Sequence, residues 1–332
     1  MRRDKLLAVA ASLALAWLPA HADAEEQLRL VVGGIDKQIY LPAVVAQKLG
    51  YFKEQRLDVL LQDDTSGVRA EDKLLAGAVQ GVIGFYDHTI VLQAKGKFVR
   101  SVVQFSRAPG EVLLGNDRLP SLRSPADFGG RTLGVAGLGS STHLLTRYFG
   151  LKGGVKVGDM NFLAVETAPA FVDAMSRGRI DAGMTTEPVV SQLLASKRAH
   201  VIVDLRTPEG TKAAFGGSYP AACVYMSALW IDTHRAEAQR LVNAFVKALR
   251  YIDTHSADEI AALVPPAYHL GDRAIYVSAL AASKSMFIAD GVMPPDGPAT
   301  VLNVLNVTSR AVRGKAIDLA RTYTTEFATT AP

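Results

Sequence analysis

The hydrophobic pattern alternates between short apolar runs and segments with helical spacing. Residues 28–32 and 57–62 are mostly apolar, as buried strands require, and residues 41–48 between them have helical periodicity that stops at Gly50. The alternation continues with a helix at residues 68–76, a strand at 82–85, a helix at 89–95 and a strand at 98–105. This order predicts an α/β fold with parallel sheets covered on both faces, and ligands are expected where strand ends meet helix starts.

A second α/β set follows the loop at residues 117–130, where prolines and glycines interrupt the pattern. The pattern predicts a strand at residues 131–136, a helix at 141–149, a strand at 161–165 and a helix at 169–177. The two sets share an internal echo, because residues 76–81 and 177–182 both end a helix with glycine and enter a strand. After Gly217 the pattern predicts a strand at 221–226 and then mostly helices, including a long amphipathic one at 235–254.

Two lobes that the chain joins twice account for these elements economically. The crossings are predicted near residues 112–116 and 218–224, and two extended connections can absorb a rotation that closes the lobes on a ligand. The predicted first lobe comprises residues 25–113 and 221–332, and the second comprises residues 114–220.

Residues 1–24 are typical of a cleaved export signal. Arg2, Arg3 and Lys5 precede an apolar run at residues 6–18, and small residues follow it. The run is shorter than the roughly 20 residues that span a bilayer. No cysteine follows it to accept a lipid. The sequence therefore predicts a free periplasmic protein.

Composition narrows the classes of function further. Cys223 is the single cysteine, so the fold cannot use internal disulfides and must rely on packed cores. The net charge of +4 is spread along the chain without a basic run, which argues against a nucleic-acid partner.

A glycine-rich turn at residues 137–139 is followed by Ser140, Ser141 and Thr142, which open a predicted helix. Glycines such as Gly139 let the backbone approach a ligand, and the free N–H groups at a helix start favour an anionic group. The alternative is that Ser140 only caps the helix.

Two further turns at strand ends carry polar side chains. Tyr86, Asp87 and His88 follow a strand of the first set, where the ring could stack on a solute and the other two could complement a donor or a charge. In the second set, Thr185 and Glu187 occupy the corresponding turn. The alternatives are that Asp87 only caps its helix and that Glu187 is only a first-turn acid.

Three more candidates border the predicted cleft by position. Gln38 and Tyr40 follow the first strand, and Tyr219 lies at the return crossing, where a purely structural turn is the alternative. No catalytic or metal-binding motif is present, so we predict a protein that is not an enzyme and uses no cofactor or metal. An exported hydrolase that uses Asp87 and His88 with distant partners stays open as the alternative from another class.

Several short motifs together resemble the periplasmic solute-binding proteins of ABC importers, in the branch associated with nitrate, sulfonate, taurine and thiamine-precursor pyrimidines. The motifs cover nearly the whole chain after the predicted signal and lie at residues 41–43, 49–52, 57–59, 87–89, 93–96, 139–143, 178–182 and 216–220.

The resemblance implies a type II periplasmic binding protein, with two α/β lobes around a cleft and a two-strand hinge. It also implies a monomer that catalyses no reaction and delivers its solute to a membrane permease with an ATPase. Family members place ligands against the exit of the first strand, the turn at 84–88, the helix start at 139–142 and the turn at 185–187. Fungal relatives make a pyrimidine with a cysteine-rich motif that this chain lacks, which disfavours that activity.

The solute remains open between two classes. The first is a sulfonate-, nitrate- or taurine-like anion at the helix start of Ser140 to Thr142. The second is a pyrimidine-like heterocycle or a small aromatic acid, the heterocycle stacking on Tyr86 or Tyr40 while Asp87 or Glu187 accepts its N–H groups. Two carboxylates in a closed cleft repel an anion, so the anion is excluded if both acids face the cleft.

Overall fold

The structure, a computed structural model, describes residues 27–332. The predicted export signal at residues 1–24 lies outside the described residues. Within the described part, no helix has both the length and the apolar character needed to cross a membrane.

The first sheet is built mainly from the beginning of the described chain. Its early elements are β1 (Leu28–Val32), α1 (Leu41–Lys48), α2 (Tyr51–Glu54), β2 (Val59–Asp63), α3 (Gly67–Leu75), β3 (Gly81–Phe85), α4 (Asp87–Ala94) and β4 (Val99–Gln104). Leu30, Val31 and Val32 are fully buried because helices cover the sheet on both faces. The predicted strand 28–32 and helix 41–48 are confirmed with these bounds.

The second sheet is built from the middle of the chain. Its elements are β5 (Glu111–Asn116), β6 (Thr132–Val135), α5 (Ser141–Lys152), β7 (Asn161–Ala164), α6 (Ala168–Ser176), β8 (Ala182–Thr186), α7 (Val189–Ala195), β9 (Ala199–Asp204) and α8 (Pro208–Phe215). Thr167 and Thr207 cap α6 and α8, since each hydroxyl accepts a hydrogen bond from a backbone N–H of the first turn.

The remaining elements return to the first lobe and cover it. They are β10 (Ala222–Ser227), α9 (Ala228–Thr233), α10 (Arg235–Thr254), α11 (Ala257–Leu263), α12 (Arg273–Ser283), α13 (Gly297–Thr308) and α14 (Glu326–Thr329). The predicted amphipathic helix 235–254 is confirmed as α10. It buries Phe245, whose ring centroid lies 5.3 Å from that of Phe52 and 5.1 Å from that of Phe105.

Both five-stranded sheets have the same strand arrangement. The first has the order β2-β1-β3-β10-β4 and the second has the order β7-β6-β8-β5-β9. The expected parallel sheets are mixed instead, because β10 and β5 run antiparallel to both of their neighbours. The predicted echo at 76–81 and 177–182 leads into β3 and β8, which hold the same place in the two orders.

The chain passes between the sheets twice. The first passage uses residues 105–110, between the end of β4 and the start of β5, and the second uses residues 216–221. Residues 112–116, predicted as a crossing, instead form a buried strand of the second sheet. The apolar run of these residues predicts a strand, but it does not indicate which of the two sheets that strand joins. The exact limits of the two lobes stay a prediction.

Candidate functional site

A cavity lies between the two lobes at the ends of the strands. The space open to the centres of water molecules is about 50 Å³, which is room for several waters or one small solute. Seven of the residues predicted for the cleft line it, namely Tyr40, His88, Ser140, Ser141, Thr142, Thr185 and Glu187.

The helix start of α5 uses its hydroxyl hydrogens internally. Ser140 Oγ donates to the Gly137 carbonyl (2.7 Å) and Ser141 Oγ donates to Asp87 Oδ1 (2.9 Å). Because Ser140 has already donated its one hydrogen, Thr142 is the donor in the 2.8 Å pair between their oxygens. The Ser140 side chain makes no capping hydrogen bond, so the alternative that it only caps the helix is wrong. No hydroxyl hydrogen at this turn remains for a ligand anion.

Asp87 joins the two lobes across the cleft. Its side chain is fully buried and lies behind the cavity lining, where Oδ1 accepts from Ser141 of the second lobe. Asp87 Oδ2 has no hydrogen-bond partner among residues 27–332. Burial raises the pKa of this carboxyl, although the His88 charge and the Ser141 hydroxyl oppose the shift. Tyr86 holds the N-cap position of α4 and Asp87 is its first residue, and because Asp87 also accepts from Ser141 of the second lobe, it does more than cap its helix.

His88 is held by a buried acid. Its Nδ1 lies 2.7 Å from Glu71 Oε2, and its Nε2 lies 3.9 Å from Asp87 Oδ1. Burial lowers the pKa of His88, but the hydrogen bond to Glu71 and the two nearby carboxylate charges outweigh burial, so the net shift is upward. The arrangement favours an imidazolium that Glu71 already neutralises.

Glu187 borders the cavity with its charge already paired. Its carboxylate accepts from the Ser191 backbone N–H and hydroxyl, both at 2.9 Å, and from Arg206 Nη1 at 2.7 Å. Its backbone carbonyl accepts from the Gln38 N–H of the first lobe at 3.1 Å. Glu187 is therefore both a helix-start acid and part of the cleft wall, but it is not a free carboxylate.

Glu111 is a buried acid of the cleft wall that sequence analysis missed. It lines the cavity, is 2% exposed, and its Oε2 has no hydrogen-bond partner in the described chain. Burial, followed by the Asp87 charge, raises the pKa of Glu111 well above its usual range, while Lys37 opposes this. The available signal was a lone acid directly before the apolar run 112–114.

Other charged residues on the wall were also missed. Lys37 lines the cavity and donates to the Gly33 carbonyl at 2.5 Å, and burial lowers the pKa of its ammonium. Glu166 accepts from Thr65 Oγ1 of the first lobe at 3.0 Å. With Asp36, Glu111 and Glu187, the lining contains more acids than bases.

The remaining predicted residues do not line the cavity. Tyr86 turns away at the start of α4, where its hydroxyl lies 2.5 Å from Thr322 Oγ1, so stacking on Tyr86 does not fit this geometry. Gln38 donates to the Tyr276 carbonyl and Tyr219 packs on Phe215. Gly139 likewise lies outside the lining. Tyr40 is the predicted aromatic residue that does line the cavity, with its ring edge-on to that of Phe85, and Phe85 and Phe171 line the wall as well.

Among the described residues, no group of three or more His, Cys, Asp or Glu side chains is placed to bind a metal ion. The cleft wall thus contains aromatic rings, the Thr185 side chain and the buried Glu111 carboxyl.

Solved structures of low sequence identity share the fold of this chain. The periplasmic nitrate-binding protein NrtA of Synechocystis PCC 6803 is 12% identical, with a TM-score of 0.74 over 92% of this chain and 88% of that chain. The alkanesulfonate-binding protein SsuA of Xanthomonas axonopodis pv. citri, bound to MOPS, is 17% identical, with a TM-score of 0.72 over 90% and 98%. At these identities the likeness establishes the fold alone.

Curated relatives with an enzymatic name match part of the chain. The 4-amino-5-hydroxymethyl-2-methylpyrimidine phosphate synthases of Saccharomyces cerevisiae are 24% identical over 218 residues. The match covers 64% of this chain and 61% of the yeast proteins, so the chain spans about three fifths of their length.

A protein of Bordetella bronchiseptica RB50 is much more similar. Its structure is 38% identical, with a TM-score of 0.88 over 92% of this chain and 96% of that chain. The model of the NMT1-like family matches residues 23–264. The chain therefore belongs to the NMT1-like family and has the two-lobed fold of type II periplasmic binding proteins.

Proposed function

We propose that this protein is the solute-binding component of an ABC-type uptake system and captures a small neutral or cationic solute that donates N–H groups. It delivers the solute, unaltered, from the periplasm to a membrane permease with its ATPase, and it works as a monomer. The observation that carries the proposal is the buried Glu111 carboxyl in the cleft wall, with the Asp87 carboxyl buried behind the lining, and each has an oxygen that lacks a partner within residues 27–332.

The same geometry argues against an anion. The hydroxyl hydrogens of Ser140, Ser141 and Thr142 are already donated within the protein. In their ionised forms the Glu111 and Asp87 carboxyls offer acceptors alone and repel a negative charge at short range. Of the two solute classes that the sequence left open, the N–H donor is the one whose hydrogen bonds complement this wall.

An aminopyrimidine has the hydrogen-bonding chemistry that these constraints require. Tyr40 supplies a ring against which a flat heterocycle can pack, and Glu111 can accept from its amino group. The name of the yeast relatives refers to an aminopyrimidine, which agrees with this class of solute. Cys223, the single cysteine, is fully buried, so it offers no accessible thiol for the synthase chemistry that the sequence already disfavoured.

Thermal denaturation with candidate solutes tests the proposal. The probe is 4-amino-5-hydroxymethyl-2-methylpyrimidine, with taurine and nitrate as the anion arms. A ligand at 100 times its Kd adds about 2.7 kcal/mol to the free energy of unfolding, which gives a clear rise in Tm. A rise with taurine or nitrate alone would overturn the choice of solute. Chromatographic recovery of an altered pyrimidine would instead support the hydrolase alternative.

The pH dependence of affinity gives a second test with a definite sign. In the empty cleft the pKa of Glu111 is raised, mainly by burial. A bound N–H donor favours the ionised carboxylate, so binding releases a proton and affinity rises with pH. The gain is up to about tenfold per pH unit for each proton released. Calorimetry from about pH 6.5 to 8 in two buffers measures both the affinity and the proton count, and an affinity that falls as pH rises contradicts the proposal.

The contact between Asp87 and Ser141 is expected to stabilise the closed cleft. Ser141→Ala removes the hydroxyl that bridges the lobes and should weaken pyrimidine binding about fivefold, from a loss of about 1 kcal/mol. Ser196→Ala is the matched control, because the exposed Ser196 hydroxyl donates only to carbonyls of α7. Equal affinities for both variants and the wild type would show that Ser141 has no part in binding.

A further inference from the structure

A second cavity lies between the lobes, on the far side of His88 from the cleft. The space open to the centres of water molecules there is about 290 Å³. His143 and Arg147 of α5 line it from the second lobe, while Lys95 and Arg310 line it from the first lobe. This cavity is separate from the cleft, and His88 is the one residue that lines both.

The charge of this second cavity is opposite to that of the cleft. Lys95, Arg147 and Arg310 line it, and the lining acid is Glu71, which already holds His88 at 2.7 Å. Among residues 27–332, neither Arg147 nor Arg310 forms an ion pair with a carboxylate. Lys95 Nζ lies 3.8 Å from Glu71 Oε1, so Arg147 and Arg310 are the cations of this lining that have no counter-charge within the described chain.

Arg147 is the central residue of this cluster. Its side chain is half-buried, and its Nε is buried with no hydrogen-bond partner in the described chain. Burial, followed by the charges of Arg310 and Arg313, lowers the pKa of its guanidinium. A guanidinium is a planar donor that matches the spacing of two oxygens on a tetrahedral oxyanion.

His143 adds a neutral donor beside Arg147. Its Nδ1 accepts from the Gly139 backbone N–H at 2.9 Å, so the proton of the neutral ring is on Nε2. Burial and the Arg147 charge lower the pKa of His143 to about 4, which keeps the ring uncharged near neutral pH. Phe162 fixes the ring edge-on at 4.5 Å between centroids.

We propose that this second cavity binds a tetrahedral oxyanion such as phosphate or sulfate, held by Arg147 of the second lobe and Arg310 of the first. The oxyanion supplies the missing counter-charge and bridges the two lobes outside the solute cleft. The inference does not depend on the identity of the solute in the cleft.

Calorimetric titration of the whole protein with inorganic phosphate tests the site, with sulfate as a second oxyanion and chloride at matched ionic strength as the blank. The wild type should bind about one phosphate per chain. Arg147→Gln and Arg310→Gln should each weaken phosphate binding about tenfold or more, because each removes a charged donor. Arg29→Gln is the matched control, since Arg29 is an exposed arginine on β1 that lines neither cavity.

Three results would overturn the proposal. One is the absence of saturable binding of either oxyanion by the wild type. Another is an equal loss in Arg29→Gln, which would indicate general screening of surface charge. The third is a loss in one of the two cavity variants only, which would exclude a bridge between the lobes. Circular dichroism of each variant establishes that it is folded before titration.

Discussion

Pyrimidine binding is expected to weaken about 30- to 150-fold in the Glu111→Gln variant. Glu111 lines the cleft, and its Oε2 has no partner among the described residues, so it is free to accept a charge-assisted hydrogen bond from the solute. Such a bond contributes about 2–3 kcal/mol. The amide keeps the size of the side chain but removes the negative charge. Isothermal calorimetry with wild type and variant measures the loss.

The stability of the ligand-free protein should respond in the opposite direction. The pKa of Glu111 is raised in the folded state, so its contribution to stability is present below its ordinary value of 4.5 and is lost as pH rises through the raised folded value. Glu111→Gln removes this group from the titration. Its Tm should not fall below that of the wild type at neutral pH, and the decline of Tm with rising pH should be shallower.

Glu209→Gln is the control for both measurements, because Glu209 is an exposed acid of α8 that does not line the cleft. An affinity in Glu111→Gln within threefold of the wild type would remove Glu111 from the binding site. A variant that binds less tightly and is also strongly destabilised would indicate a structural role instead.

The Arg206→Met variant is expected to lose about 3 kcal/mol of the free energy of unfolding. Arg206 Nη1 lies 2.7 Å from Glu187 Oε1, and the two side chains are 15% and 2% exposed. Removal of the guanidinium leaves a buried carboxylate without its counter-charge, which costs far more than the pair itself contributes. Urea denaturation measures the loss.

A surface ion pair provides the comparison. Arg177→Met breaks the exposed pair with Asp173 on α6 and should leave the free energy of unfolding nearly unchanged, because solvent screens this pair. The double variant Glu187→Gln with Arg206→Met should recover part of the lost stability, because no buried charge is then left unpaired. A loss below 1 kcal/mol in Arg206→Met alone would contradict the assignment of Glu187 as a charge that depends on Arg206.

The fold was predictable where the local pattern decides the element. The strand Leu28–Val32 and the helices Leu41–Lys48 and Arg235–Thr254 have the bounds that hydrophobic spacing predicts. The role of residues 112–116 was not predictable in the same way, because a buried strand looks the same in the sequence whichever sheet accepts it. The antiparallel direction of β5 and β10 follows from the crossings, which are properties of the whole chain.

The candidate site shows a similar division. The turns after β3, β6 and β8 were predicted as cleft borders because strand ends and helix starts meet there, and residues of each turn line the cavity. The sequence pattern could not predict in which direction each side chain of these turns points. Tyr86 and Asp87 are adjacent, yet one points to Thr322 and the other to Ser141. Glu111 was missed because it lies at the start of a strand rather than at its end.

The position of β10 determines the order in which the two halves can be completed during synthesis. Strands β5 to β9 form a continuous stretch of the chain, so the second sheet has all its members once residue 204 has been made. The first sheet must wait for residues 222–227, which fit between β3 and β4. Until they arrive, those two strands present open edges to solvent, the kind of surface that chaperones protect. The half that starts the chain is thus the last to be assembled.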